Sequence, residues 1–499
     1  MLELPHNPRR GETFDIVIQD LTPKGLGRGW LEARIGGQKQ GRRFEVLVRR
    51  ALPGERVTIE VQRCRRGVVE GRRAAIVEPA PGRIAPRCGH FGPREEPGKG
   101  CGGCVLQSLS YADQLAIKER FVARCLAREG VDAEVSPIVA AVEPWYYRNK
   151  MEFSFGDDRE RRFALGLYPA GWWREVLNLR ECHLMSEGSA RLVRWLSDWF
   201  AAQGLAPYKP SANAGFLRTL TVREGKRTGE RMLELTTTAA EEAEFQGEQV
   251  SADAIAAAVA EAVAEVSEGL GVAVTSLYWT QHRAVRGERT RMISHLLSGS
   301  PTLREELNLP GGHTLSFAIH PRAFFQPNTG QAEVIYGMVV EAAGLRGAEA
   351  PPRVLDLYCG TGTIGLALSP YAAEVVGIEL QPDAVENARQ NAAHNGVENV
   401  TFHCGDVGEV LAREGLGAAG DCVVVDPPRA GLSAQALTLI GEMGLERLVY
   451  VSCNPRSLAR DLAGLRAYGM APTAVRPVDQ FPHTMHVETV AVVERVSPA

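Results

Sequence analysis

The last third of the chain alternates short apolar runs with glycine turns and helical patterns, and this alternation is the strongest constraint on its fold. Residues 353–406 read RVLDLYCGTGTIGLALSPYAAEVVGIELQPDAVENARQNAAHNGVENVTFHCGD. The runs VLDLY, VVGIE and VTFHC are predicted strands, and helical stretches separate them. Strands that alternate with helices form a parallel sheet with helices on its faces. We therefore predict a Rossmann-like α/β domain in this part of the chain.

Each of these three strands carries an acidic residue near its end, namely Asp356, Glu379 and Asp406. Ligands of an open parallel sheet bind at the carboxyl ends of its strands, where a glycine turn lets the backbone approach a nucleotide cofactor. An acidic residue about 20 positions after such a turn accepts hydrogen bonds from ribose hydroxyls. Three successive acidic strand ends suit adenosine with an amino-acid tail better than a pyrophosphate. The pattern therefore favours S-adenosylmethionine over NAD.

Two further predicted strands bring an acid and a thiol to the same sheet edge. The run VVVDPP places Asp426 at a strand end, and two prolines force an extended segment after it. The next run, LVYVSCNP, places Cys453 one strand further on. A cysteine in an apolar run is ordinarily a packing residue, and a metal ligand is the other alternative. Beside a cofactor cleft and before Asn-Pro, we predict that Cys453 is a nucleophile.

A thiolate beside a methyl donor has a specific chemical use. Carbon C5 of a pyrimidine is a weak nucleophile, and addition of a thiolate to C6 turns it into an enolate-like carbanion that can accept a methyl group. The C5 proton must then be removed by a base so that the cysteine can leave. The final predicted strand, HVETVAVV, has Glu488 near its start. On its own, Glu488 is an ordinary strand-end charge.

The motifs FFQPN, VLDLYCGTGTIGLAL, VVGIE, VVVDPPRAGL, YVSCNP and FPHTMHVETV occur in this order over the last 180 residues. Together they resemble the RNA 5-methyluridine methyltransferase family, which includes enzymes acting on transfer RNA and on 23S ribosomal RNA. The resemblance implies that Cys453 is the nucleophile and Glu488 the general base. It also implies that five residues contact S-adenosylmethionine: Gln326, Tyr358, Glu379, Asp406 and Asp426.

The first 80 residues contain five short β patterns and carry excess positive charge. They hold 16 Lys+Arg against 10 Asp+Glu, a net charge of +6, whereas the remaining residues have 40 against 50, a net charge of −10. Five short strands predict a small OB-like barrel, and this module resembles a TRAM domain. The doublets Arg42–Arg43 and Arg49–Arg50, with Arg63, Arg65 and Arg66, form either a solvated face or a surface that contacts RNA phosphates.

Four cysteines suggest a metal site. Cys88, Cys101 and Cys104 follow the pattern C-x12-C-x2-C, and Cys182 is able to complete a set of four. Four thiolates hold either zinc or a [4Fe–4S] cluster, and His90 is an alternative ligand. The four cysteines resemble the iron–sulfur set of the ribosomal-RNA branch, although the first gap is longer than that family's C-x5-C. This resemblance implies a [4Fe–4S] cluster and favours 23S ribosomal RNA over transfer RNA.

The predicted fold class is a multidomain α/β protein. Its predicted parts are an N-terminal OB-like β-barrel of the TRAM type (1–82), a central α+β iron–sulfur domain with an RNA-binding surface (83–320) and a C-terminal Rossmann-like class I methyltransferase domain (321–499). The acidic, alanine-rich segment 239–271 is predicted to be a surface helix that does not touch RNA. No apolar run of about 18 residues exists, so we expect a cytoplasmic protein without membrane contact. We expect a monomer, since the partner is a large RNA.

Two rival functions were considered. A cytosine-modifying enzyme also uses a thiolate, but its cysteine follows a proline on the Asp426 strand, where this chain has Pro-Pro. A non-catalytic RNA-binding protein needs neither Cys453 nor Glu488, and both are present. The predicted function is therefore methylation of uridine C5 in RNA, with transfer RNA as the alternative substrate.

Overall fold

The computed structural model describes residues 1–96, 98–285, 287–347, 349–418 and 421–496. The chain folds into two compact units, which we treat separately. The first contains Met1–Lys118 and Phe481–His486, and the second contains Glu119–Gln480 and the chain from Val487 onward. The three predicted domain boundaries stay a prediction, since this division groups the chain by contact density alone.

The first unit contains a closed β-barrel. Its strands are β1 (Leu2–Leu4), β2 (Thr13–Leu21), β3 (Leu26–Ile35), β4 (Gly41–Arg49), β5 (Arg56–Arg65) and β6 (Val68–Glu78). They pair in the order β1-β3-β2-β5-β6-β4, and a further β3–β4 pairing closes five of them into a ring. Alternate residues point inward, and on β4 the inward residues Phe44, Val46 and Val48 are buried. The predicted five-strand barrel is confirmed.

The rest of the first unit is mostly irregular and packs around a small apolar core. Helix α1 (Tyr111–Arg128) begins in this unit and ends in the second one. Leu106, Leu109 and Met485 contribute to the core. The backbone N–H groups of Val105 and Leu106 both donate to the carbonyl oxygen of His483, at 2.9 and 3.0 Å. These bonds attach the segment from Phe481 to the N-terminal part of the chain.

The second unit contains a seven-stranded sheet with two helices and two hairpins. The strands are β7 (Lys150–Asp157), β8 (Phe163–Leu167), β9 (Leu177–Asn178), β10 (Leu217–Glu224), β11 (Arg231–Thr238), β12 (Glu242–Phe245), β13 (Glu248–Ser251), β14 (Ser276–Arg283), β15 (Arg291–Gly299), β16 (Leu303–Leu309) and β17 (His313–Ile319). The helices are α2 (Glu187–Ala202) and α3 (Ala252–Leu270). The sheet order is β15-β14-β11-β10-β7-β8-β9, and β12–β13 and β16–β17 form separate hairpins.

The prediction of one helix over residues 239–271 is only partly right. The segment first forms the β12–β13 hairpin, whose turn residues Gln246 and Gly247 both have positive φ, at 55° and 84°. Helix α3 begins at Ala252, after Ser251 caps its N-terminus by accepting a hydrogen bond from the backbone N–H of Ala254. The acidic residues before Ser251 are therefore strand and turn residues.

The second unit also contains the predicted parallel sheet. Its strands are β18 (Arg353–Leu357), β19 (Glu374–Glu379), β20 (Val400–Cys404), β21 (Cys422–Val425), β22 (Arg447–Ser452), β23 (Met470–Val478) and β24 (Glu488–Arg495). The helices are α4 (Thr329–Ala343), α5 (Thr363–Leu368), α6 (Pro382–His394), α7 (Val407–Glu414), α8 (Ala434–Glu442) and α9 (Pro455–Leu465), with 3₁₀ turns at Ser369–Tyr371 and Arg466–Tyr468. Among the described residues, no helix is both long enough and apolar enough to cross a bilayer.

The strand order of this sheet determines which strand ends meet. It is β20-β19-β18-β21-β22-β24-β23, so the last strand of the chain inserts between β22 and β23. β18 to β22 are parallel, and β24 runs antiparallel to both of its neighbours. The carboxyl ends of β18, β19, β21 and β22 therefore share one edge with the beginning of β24. This edge is the predicted ligand-binding edge of the sheet.

Candidate active site

Cys453 and Glu488 face each other across two neighbouring strands. Ser452, the last residue of β22, is paired with Thr489 of the antiparallel strand β24. One step further along both chains places Cys453 opposite Glu488. Residues directly opposite each other in an antiparallel pair have Cβ atoms about 5 Å apart and point to the same face. The electrostatic effect of Glu488 on the Cys453 thiol agrees with this placement.

The surroundings of Cys453 disfavour its thiolate. Burial raises the pKa of the Cys453 thiol to about 11, and the carboxylates of Glu488 and Asp426 raise it further, whereas Arg429 lowers it. A raised thiol pKa keeps the sulfur protonated at neutral pH. Formation of the thiolate therefore requires either that the neighbouring carboxylates take up protons or that positive charge arrives at this edge.

The carboxyl groups at this edge are themselves destabilised as anions. Burial raises the pKa of Asp426 to about 7. Burial and then Asp426 raise the pKa of Glu488 to about 8, with Arg429 opposing them. Burial, Asp426 and Glu379 raise the pKa of Asp356 to about 7, although its Oδ2 accepts a 2.7 Å hydrogen bond from the Gly365 N–H. The other oxygen of Asp356, Oδ1, is buried with no hydrogen-bond partner among the described residues.

This excess of buried negative charge fits a cationic cofactor. S-adenosylmethionine carries a sulfonium and an ammonium group against one carboxylate, so its net charge is +1 near neutral pH. A cation that binds beside the carboxyl groups lowers their pKa values and that of a nearby thiol. The chemistry of these residues therefore agrees with the cofactor that the strand-end acids predict.

The glycine turn after β18 also has the predicted form. Glu379 Oε2 accepts from the Gly360 N–H at 3.2 Å, and Glu379 Oε1 accepts from the Gln381 N–H at 2.8 Å. Gly360 has a φ of 55°, and a Cβ built on it meets no other atom within 4 Å. The turn therefore leaves open space beside the Glu379 carboxylate, where a ribose fits.

The other predicted cofactor residues lie in the same unit with different degrees of engagement. Asp406 caps helix α7 by accepting hydrogen bonds from the N–H groups of Gly408 and Glu409, at 2.9 and 3.3 Å. Burial, followed by the charge of Asp406, raises the pKa of the Tyr358 hydroxyl to about 12. The side-chain oxygen of the buried Gln326 accepts from Gln480 Nε2 at 3.2 Å. Asp406 therefore has a structural role in addition to its predicted one.

Three supporting residues were not predicted. Asn454 caps helix α9 by accepting from the Arg456 N–H at 3.3 Å, and its Nδ2 donates to the carbonyl oxygen of Arg429 at 2.8 Å. The segment after Asp426 is thereby joined to the turn that carries Cys453. Gln480 holds Gln326, as described above. An Asn followed by Pro is a helix-start signal and identifies the Asn454 cap from sequence; no comparable signal marks Arg429 or Gln480.

The structure does not support the predicted four-cysteine metal site. The described residues include no group of three or more His, Cys, Asp or Glu side chains that is able to hold a metal ion. Cys101 and Cys104 both lie near the buried guanidinium of Arg50, whose pKa burial lowers to about 10. Cys182 belongs to the other unit, where its buried thiol accepts hydrogen bonds from backbone N–H groups. His90, the alternative ligand, has its Nδ1 2.8 Å from the carbonyl oxygen of Gly98.

Comparison with protein families agrees with the geometry of the sheet edge. Residues 350–438 match a model described as a methyltransferase domain, and residues 418–496 match a model described as tRNA (uracil-5-)-methyltransferase. The second match contains Asp426, Cys453 and Glu488. S-adenosylmethionine dependence and an RNA substrate follow from this membership at the level of the family.

Relatives of the whole chain carry the same description. An uncharacterized RNA methyltransferase of Caldanaerobacter subterraneus subsp. tengcongensis is 36% identical over 97% of this chain and 99% of its own length. One from Protochlamydia amoebophila is 36% identical over 88% of this chain and 97% of its own length.

A solved structure also matches nearly the whole chain. The tRNA (uracil-54, C5)-methyltransferase of Pyrococcus abyssi, in complex with S-adenosyl-L-homocysteine, is 25% identical with a TM-score of 0.69. The match covers 96% of this chain and 100% of that chain. The chain therefore belongs to the RNA methyltransferases of the uracil-5 family.

Proposed function

We propose that this enzyme transfers a methyl group from S-adenosylmethionine to C5 of a uridine in RNA, with Cys453 as the nucleophile and Glu488 as the base. The observation that carries the proposal is the strand register that sets Cys453 opposite Glu488, beside Asp426. A thiol, a base of raised pKa and a cationic donor at one edge are the three components that C5 methylation needs.

The proposed reaction uses each residue once. The Cys453 thiolate adds to C6 of the uracil, and the electron pair of the C5–C6 double bond moves toward C5 and O4. The cofactor, when bound, supplies an electrophilic methyl group, and C5 forms a bond to that carbon. Glu488 then removes the proton from C5, the C5–C6 double bond forms again, and the Cys453–C6 bond breaks.

The pKa values at this edge suit such a base. A carboxyl group with a pKa of about 8 is a stronger base than an ordinary glutamate once it is ionised. Its burial, with 4% of Glu488 exposed, keeps water from competing for its oxygens. Five residues are proposed to hold the cofactor at this edge, as the resemblance implies: Gln326, Tyr358, Glu379, Asp406 and Asp426.

For the RNA itself, we propose 23S ribosomal RNA as the first substrate to test and transfer RNA as the alternative. The cysteine spacing resembles the ribosomal-RNA branch, whereas the solved relative acts on transfer RNA. The barrel does not discriminate between them, because the alignment with that relative covers 96% of this chain. The N-terminal barrel (1–82) is proposed to be a TRAM-type RNA-binding module and residues 321–499 the methyltransferase domain.

The test is methyl transfer from labelled S-adenosylmethionine to separated ribosomal and transfer RNA from a strain that lacks this gene. We expect label in 5-methyluridine after digestion to nucleosides, and loss of that label with Cys453→Ala. Label in ribosomal RNA alone supports the first substrate, and label in transfer RNA alone supports the alternative. Label in 5-methylcytidine, or in no nucleoside of either RNA, contradicts the proposal.

A further inference from the structure

A cleft on the first unit is lined by five arginines. Its volume is about 640 Å³, and its basic lining residues are Arg9, Arg42, Arg43, Arg65 and Arg66. The lining also includes His6 and Asn7, and it includes no acidic residue among the residues that the structure describes. The five arginines are exposed, and the buried ring of Phe44 belongs to the lining as well.

Backbone hydrogen bonds hold the three walls of this cleft in place. The β5–β6 turn is attached to β4 by the Glu45 N–H, which donates to the Gly67 carbonyl oxygen at 2.9 Å. The connection between β1 and β2 is attached to β5 by two bonds between Gly11 or Glu12 and Val61, at 2.9 and 2.8 Å. The arginines therefore stand on a fixed frame, and an anion that binds them orders only their side chains.

Most of these arginines lack a carboxylate partner. Within the described part of the chain, Arg9, Arg42, Arg65 and Arg66 form no ion pair, and Arg42 donates only to Asn7 Oδ1 at 3.4 Å. Arg43 lies 3.8 Å from Glu32 and 4.0 Å from the Trp30 ring centroid. Other exposed arginines of the barrel are paired: Arg28 with Asp20, Arg34 with Glu3, Arg56 with Glu78 and Arg72 with Glu60.

The turn residue Arg66 occupies a conformation that disfavours it. Arg66 and Gly67 join β5 to β6 as a two-residue turn in which both φ angles are positive, at 51° and 79°. Such turns favour Asn or Gly at the first position, and a residue with a long side chain there costs about 1 kcal/mol. An arginine at this point places a guanidinium at the mouth of the cleft despite that cost.

We propose that this cleft binds successive phosphate groups of the RNA backbone. This inference rests on the proposed function, because the partner is the RNA substrate. Guanidinium groups pair with phosphate oxygens through two parallel hydrogen bonds, and several of them along one cleft match a chain of regularly spaced anions. The cleft contacts backbone and no base edge, so it contributes affinity and orientation without sequence preference.

Not all of the predicted basic surface belongs to this cleft. Arg50 instead lies with its guanidinium 3.9 Å from the Phe91 ring centroid and donates to the Cys101 carbonyl oxygen at 3.0 Å. Its neighbour Arg49 is exposed, forms no ion pair within the described residues and does not line the cleft. Arg49 therefore provides a control that removes the same charge from the same strand as Arg42.

The test compares the triple variant Arg42→Gln, Arg65→Gln, Arg66→Gln with wild type. Binding of a labelled oligouridine of about 20 nucleotides is measured by fluorescence anisotropy at 50 to 200 mM salt, without cofactor. Loss of three phosphate contacts lowers the slope of log K against log salt by about 2 for single-stranded RNA. The affinity deficit of the variant should therefore shrink about 15-fold between these salt concentrations, as that slope difference requires.

Three controls make the result specific. Arg49→Gln should lower the slope by less than half as much, and replacement of the three cleft arginines by lysine should restore most of the slope. Binding of S-adenosylmethionine by the triple variant should equal that of wild type, which shows that the variant is folded. An unchanged slope, an equal loss with Arg49→Gln, or arginine-dependent binding to anionic phospholipid vesicles and not to oligouridine would each overturn the inference.

This experiment is independent of catalysis. If the variant loses affinity as expected while no RNA is methylated by wild type, the proposed reaction is wrong and the cleft stands. If wild type methylates uridine and the variant binds RNA equally well, the cleft is wrong and the reaction stands.

Discussion

The active-site edge and the arginine cleft each hold an excess of one charge, but they differ in burial. At the sheet edge, Asp356, Asp426 and Glu488 are buried, and burial raises each pKa toward neutrality. In the cleft, five exposed arginines face water. Buried charges respond to their surroundings by changing their protonation, whereas exposed charges respond to the ions of the solvent.

This difference predicts how each site is regulated by solution conditions. Ligand binding at the sheet edge is coupled to protons, because a cationic cofactor binds the ionised carboxyl groups. Ligand binding at the cleft is coupled to salt, because phosphates displace or release counterions. Substitutions at the two sites should therefore separate cleanly into pH effects and salt effects.

The largest expected effect is that of Cys453→Ala. Without a thiol to add to C6, no other group makes C5 nucleophilic, and turnover should fall by about 10⁴-fold or more. Cofactor binding should persist and can be measured by calorimetry. Cys125→Ala is the matched control, since it removes a buried thiol from helix α1, which carries none of the proposed catalytic residues. Retained turnover in the Cys453 variant would remove this residue from the mechanism.

The next effect is that of Glu488→Gln, which removes the base and keeps the size of the side chain. Methyl transfer should proceed and elimination should stall, so a protein–RNA adduct that survives denaturing electrophoresis should accumulate. Turnover should fall by about 10² to 10⁴-fold. Glu494→Gln on the same strand is the control, because Glu494 pairs with Arg447 at the other end of β24. Full turnover without an adduct contradicts this role for Glu488.

The third effect is a pH dependence of cofactor affinity. Asp426 and Asp356 have pKa values of about 7, so both become protonated as the pH falls through 7, and a cation then binds less well. We expect affinity for S-adenosylmethionine to rise by about tenfold between pH 6 and pH 8, with net proton release on binding near pH 6.5. Asp426→Asn should weaken binding at pH 8 and flatten the profile. A profile that is flat in wild type contradicts the coupling.

The same shifts have a sign for stability. The folded-state pKa values of these acids lie above those of the unfolded chain, so the folded state binds more protons across the window from about pH 4 to pH 8. The cofactor-free protein should therefore lose stability as the pH rises through this window, and Asp426→Asn should reduce that loss. Thermal unfolding at several pH values measures both.

Much of this architecture follows from local sequence patterns. The predicted strands at Thr13–Leu21, Val68–Glu78 and Val400–Cys404 occur with the same bounds, because alternation or a buried apolar run marks each of them. Strand β15 was not predicted, since nearly all of its residues are exposed and no half-buried pattern exists to detect. The sequence also does not show that β24 inserts between β22 and β23, and that insertion sets Glu488 opposite Cys453.

The metal site shows the opposite limit. Cysteine spacing predicts a ligand set only if the folded chain brings the thiols together, and Cys182 is separated from Cys104 by 77 residues of intervening sequence. The described residues include no group of three ligands. The arginine cleft, by contrast, collects residues from three separate segments whose basic character was visible but whose convergence was not.

The smallest expected effect is that of salt on cofactor binding, and it completes the comparison. The Debye length shortens from about 14 Å at 50 mM salt to about 7 Å at 200 mM, but screening acts weakly on buried groups. Affinity for S-adenosylmethionine at pH 8 should therefore change by less than about twofold over this range, while RNA affinity falls with the slope that the cleft arginines set. Both are measured on one preparation by calorimetry and anisotropy. If cofactor affinity falls as steeply as RNA affinity, the carboxyl groups at the sheet edge are exposed to solvent ions, and burial does not distinguish the two sites.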